Sequence, residues 1–108
     1  MSDLDIPEGL SLEGQRAAVT ILKVAQSKGM SYTGGCKLFY TPEHWAQRGE
    51  RFGTKSHLIV VYDGGEFAEF FNHSYEQYGL IEEMRAALER EGLYIEPCTH
   101  WYGAVYSI

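Results

Sequence analysis

Cysteine is nearly absent from this chain, and Cys36 and Cys98 are too few for a disulfide framework, leaving at most one bridge. Long hydrophobic runs are missing as well: no stretch approaches the ~20 apolar residues that a membrane-spanning helix requires. The opening Met1-Ser-Asp-Leu-Asp-Ile-Pro-Glu8 lacks the basic-then-apolar order of a secretory signal, so a cytoplasmic location with both thiols reduced is expected. Metal-site spacings are absent too, since the four histidines and two cysteines form no C-x2-C, H-x3-H or H-E-x-x-H pattern. There are no internal repeats and no low-complexity tracts, which excludes solenoids and leaves one domain in 108 residues.

Basic charge is scarce overall: nine Lys and Arg face fifteen Asp and Glu, for a net charge of −6. This balance repels a polyanion at longer range and argues against direct nucleic-acid binding over the whole chain. The charge is unevenly distributed, however. Residues 1–13 sum to −4, residues 14–55 to +5 and residues 56–108 to −7, so a basic first half gives way to an acidic second half. Aromatics are plentiful, with five Phe, two Trp and eight Tyr, and at 44% hydrophobic residues the chain has enough apolar material for a core.

Residues 1–10 read as an acidic, flexible leader, and residues 11–108 as a single α+β domain. Ser11 offers an N-cap to an amphipathic helix from Leu12 to about Lys28, with Ala17, Ala18, Ile21, Val24 and Ala25 inward and Gly29 as its stop. Cys36 to Thr41 suggests a short strand. Thr41-Pro42-Glu43 then starts a short helix running to about Arg48. The apolar run from His57 to Tyr62, the turn Asp63-Gly64-Gly65 and the aromatic run Glu66 to Phe71 predict a central β-hairpin. Ser74 and Gln77 predict a capping box for a helix from about Tyr75 to Glu91, in which Leu80, Ile81, Met84, Ala87 and Leu88 share an arc. Two further strands, Leu93–Pro97 and Trp101–Ile108, close the chain. The expected order is α-β-α-β-β-α-β-β: about five short strands in a mixed or mostly antiparallel sheet, two long helices on one face and one short helix. With both long helices on one side, the other sheet face would display part of the aromatic surplus.

Several residue groups could carry chemistry. Cys98 and His100, two apart at a strand turn, are the material of a thiol nucleophile and its base. Zinc could draw on Cys36, His57, Cys98 and His100, with His44 and His73 in reserve. Asp63 at a strand end could hold Mg²⁺, although Asp-Gly is also a preferred hairpin turn. Arg48, Arg51 and Lys55, with Phe52 between them and Lys37, Gly34 and Gly35 upstream, could clamp phosphate or stack nucleic-acid bases. Glu82, Glu83 and Glu89 with Tyr75 and Tyr78 could form an acidic-aromatic docking face, and Glu82–Arg85–Glu89 should pair internally.

The reading that follows is a small acidic binding protein, an inhibitor or adaptor, that needs no cofactor. It would dock on another protein through Glu82, Glu83, Glu89, Tyr75 and Tyr78. In size and charge it is comparable with phage-encoded inhibitors of bacterial defence enzymes, some of which occupy nucleic-acid grooves. The partner could therefore be a nucleic-acid-binding protein, and a second copy of the chain is also compatible. The competing expectations are a small Cys/His enzyme or metal-binding protein using Cys98 and His100, and phosphate or nucleic-acid binding through Arg48, Arg51 and Lys55.

Overall fold

The computed structural model describes residues 6–29, 38–62, 69–71, 76–99 and 101–108. Among them the chain is α+β, in the order α1 (Leu12–Ser27), β1 (Phe39–Tyr40), α2 (Pro42–Gln47), β2 (Leu58–Val61), α3 (Tyr78–Arg90), β3 (Leu93–Pro97) and β4 (Tyr102–Ser107). The four strands form one antiparallel sheet in the order β1-β2-β4-β3.

Local chemistry explains the first two helices. Ser11 Oγ accepts the Gly14 N–H at 3.0 Å and so satisfies an orphan donor of α1. Thr41 Oγ1 does the same for His44 at 3.1 Å, with Pro42 at the first position of α2. α1 turns Ala17, Ala18, Ile21, Leu22 and Ala25 inward, and its small residues bring it close to the sheet. They meet Met84 and Leu88 of α3, Leu58 and Val60 of β2, Leu93 of β3 and Val105 of β4 in the larger core. Ile6 and Leu10 also pack there, so the packed chain begins before α1.

β2 is buried along its whole length because both sheet faces are covered. Its alternate residues Ile59 and Val61 join Tyr102 and Ala104 of β4 beneath Trp45 of α2, in a second, smaller core. The expected display of aromatics on that face is therefore partly closed by the short helix. Trp45 is 0% exposed, whereas Tyr94 of β3 keeps 38% of its surface in water.

Three expectations are corrected. The run from His57 to Asn72 is not a hairpin over its described part. β1 and β4 occupy the two edges of β2. Glu69 and Phe70 instead form a 3₁₀ turn, and Phe70 and Phe71 are buried in the larger core. The strand count among the described residues is thus four, not five; Asp63-Gly64-Gly65 and Phe67 lie outside them. α3 also starts at Tyr78, later than the Ser74 capping box implies. Gln77 itself is the N-cap, with no side-chain cap bond, and Glu76 precedes it at φ +57°. Ser74 lies outside the described residues.

Candidate docking surface

Among the described residues, no base stands beside the Cys98 thiol. Cys98 is half-buried, its Sγ lies 3.7 Å from the Glu96 carbonyl oxygen, and burial together with the nearby Glu96 carboxylate pushes its pKa up. A thiol held in its protonated form is a poor nucleophile. The loop beside it is built for rigidity: Thr99 Oγ1 accepts the N–H groups of Trp101 and Tyr102 at 3.2 and 3.3 Å, and Tyr102 O accepts those of Cys98 and Thr99 at 3.1 Å. His100, Cys36, His73 and Asp63 lie outside the described residues. His57 is engaged on both ring nitrogens, with Nδ1 3.0 Å from Ser11 Oγ and Nε2 2.9 Å from Ser107 Oγ, and so ties the start of α1 to the end of β4. Among the described residues no three His, Cys, Asp or Glu side chains converge as a metal site.

The acidic face of α3 is largely occupied by ion pairs. Arg85 bridges Glu82 and Glu89, Lys28 of α1 reaches Glu83 at 2.8 Å, and Arg16 approaches Glu91 at 3.7 Å. The Lys28 and Arg16 pairs fasten α1 to α3, and the Arg85 and Lys28 pairs reduce the charge that Glu82, Glu83 and Glu89 offer outward. Tyr78 is exposed at the start of α3; Tyr75 lies outside the described residues.

A different surface lies on the α2 side of the sheet. Trp45 and Arg48 are three apart, so both face the same way as α2 ends. Trp45 enters the smaller core, and the Arg48 guanidinium folds back over it, 4.6 Å from the indole centroid and 5.4 Å from the Tyr40 ring of β1. The Trp45 ring in turn meets Tyr102 at 4.9 Å and Trp101 at 5.9 Å. The following loop carries Arg51 and Phe52, then packs down at Gly53 against Ile59 and Ala104. Phe52 is left 56% exposed. No family model, curated protein or solved structure matches the chain. What the surface can do therefore has to come from its own chemistry.

Glu50, Arg51, Phe52, Thr99, Trp101 and Tyr102 line an open recess of about 320 Å³. Burial raises the Tyr102 pKa, opposed in part by the Trp45 indole and the Phe52 backbone N–H. Trp45 Nε1–H is buried and falls outside hydrogen-bond geometry with any acceptor among the described residues. Among those residues Arg48, Arg51 and Lys55 form no ion pair; Lys23 and Arg90 share that condition but sit apart on α1 and α3. The basic loop was legible in the sequence. Its aromatic support from Tyr40, Trp45 and Trp101 was not, because those residues come from three separate stretches.

Among the described residues no helix is long and apolar enough to cross a membrane.

Proposed function

We propose that the protein acts by binding rather than catalysis, as an inhibitor or adaptor that docks on another protein. The observation that carries this reading is the stack of Arg48 on Trp45 and Tyr40, with Phe52 exposed beside Trp101. Tyr, Trp and Arg dominate the binding energy of protein interfaces because they bury much area at small entropic cost and retain polar contacts. The ring stack holds the guanidinium in place before any partner arrives, which lowers the ordering cost of association. The ion-paired acids of α3 give a weaker case for the face at Glu82, Glu83, Glu89 and Tyr78, so the proposal centres on the α2 side.

The test is site-specific photocrosslinking in an extract of the source cell, with benzoylphenylalanine replacing Phe52 or, as a control on the far side of α1, Val19. A discrete adduct from position 52, absent from position 19 and competed by wild-type protein but not by Arg48→Ala protein, is the expected result. Equal adducts at both positions, or none at 52, would discard the reading.

A further inference from the structure

Resting on that docking reading, we infer that the recess between Phe52 and Trp101 receives an acidic segment of the partner, with a carboxylate on Arg51 and an apolar side chain between the rings. The molecule sorts its cations: Arg16, Lys28 and Arg85 pair with acids of its own helices, whereas Arg51 lines the recess without a carboxylate partner among the described residues, and Arg48 and Lys55, before and after it in the chain, form no ion pair among those residues either. The loop that carries Arg51 is closed by a turn in which Ser56 N–H and Ser56 Oγ both donate to Gly53 O, at 3.1 and 2.6 Å. In a protein of net charge −6, this is where unneutralised positive charge gathers among the described residues.

The shape narrows the ligand. Phe52 and Trp101 provide apolar lining and Arg51 a fork of N–H donors. All the polar side chains that favour a ligand here donate, which selects an acceptor. Glu50 on the rim works against an anion, so its removal should strengthen binding. Three cations do not make the continuous basic track that a nucleic-acid strand follows, and the net charge opposes a polyanion at low salt.

The probe is a fluorescein-labelled peptide of about twelve residues, rich in Asp and Glu around one central Phe, followed by fluorescence anisotropy. The comparison ligands are its Asn/Gln counterpart and single-stranded oligothymidine. Wild-type protein should bind the acidic peptide with salt-dependent affinity, weakened about tenfold by Arg51→Glu and by Phe52→Ala, and strengthened about threefold by Glu50→Gln. Circular dichroism confirms that the exposed variants fold. No binding of the acidic peptide, equal binding of the Asn/Gln peptide, or no response to Arg51→Glu overturns the inference. Tighter retention of oligothymidine also overturns it, in favour of nucleic acid. A position-52 crosslink without acidic-peptide binding retains the docking reading and removes only its acidic partner.

Discussion

Two glycines in helices show how a residue's worth depends on what lies beyond its Cβ. Gly14 in α1 faces the sheet, and a Cβ there would sit 2.4 Å from the His57 carbonyl oxygen. Gly79 in α3 has nothing within 4 Å of the same position. Helix propensity alone favours Ala over Gly at both sites by about 1 kcal/mol. At position 14 a backbone atom would have to move, at an overpacking cost of about 1–3 kcal/mol. Gly14→Ala should therefore destabilise by about 1–2 kcal/mol and Gly79→Ala stabilise by about 0.5–1 kcal/mol, as read from urea midpoints. Equal shifts of the same sign would show that α1 does not approach β2 this closely. Gly53 is constrained twice, by φ +83° and by its neighbours, since a methyl group there would meet Ile59 Cδ1 at 2.8 Å and Ala104 Cβ at 3.0 Å. Gly53→Ala should cost about 1–3 kcal/mol and also loosen the loop carrying Arg51 and Phe52, visible as faster amide exchange there than at β2. The roles of Gly14 and Gly53 cannot be read from the chain alone, because each depends on an atom far away in sequence, His57 O for one and Ala104 Cβ for the other.

Elements were legible where local chemistry decides them. The caps at Ser11 and Thr41 and the 3.6-residue spacing of Ala17, Ala18 and Ile21 specify α1 and the start of α2 without tertiary help. Strand partners were not legible, because an alternating or apolar run states which faces are buried but not which strand lies alongside. Asp63-Gly64-Gly65 points to a local hairpin, whereas β2 pairs with β4, more than forty positions later. The true hairpin is β3–β4, closed by Thr99. Its free edge supplies a prediction. Cys98 N–H donates to Tyr102 O and Ile108 N–H to Gly92 O, so the alternation aims the backbones of Tyr94 and Glu96 at β4 and those of Leu93, Ile95 and Pro97 outward. Proline has no N–H to offer, which blunts that edge against a stray strand. Pro97→Val should raise the fraction of associated protein in sedimentation velocity relative to wild type. An unchanged distribution at matched concentrations would mean that something other than Pro97 guards the edge.

At the scale of the molecule, one sheet separates two cores of different character. The α1–α3 side is aliphatic with Tyr62, Phe70 and Phe71 at one end, whereas the α2 side is built on Trp45 and Tyr102. The α+β class was legible, and the proposed docking surface was legible only in its basic half, because its aromatic half exists only once β1, α2 and the β3–β4 loop meet. This arrangement buries acidic protons as well as apolar area. Tyr62, 3% exposed, donates weakly to the Thr99 carbonyl oxygen at 3.4 Å, and its pKa is raised, chiefly by burial and then by Cys98. Cys98, Tyr102 and Tyr106 are shifted upward as well, each first by burial. The unfolded chain would ionise such thiols near 9.0 and such phenols near 10.0. Above those values the folded state holds protons that the unfolded state has lost, so stability must fall as pH rises. The contribution is fully present below about pH 9 and is lost progressively above it, by at most about 1.4 kcal/mol per pH unit for each fully coupled group. Urea midpoints should thus decline through the alkaline range, with phenolate absorbance rising as the chain unfolds. Tyr62→Phe removes the most deeply held of these protons and should flatten the decline. If wild type and Tyr62→Phe lose stability with the same slope, the Tyr62 phenol is not shielded by the fold, and Phe71 would have to pack against it more loosely than the 5.0 Å between their ring centres implies.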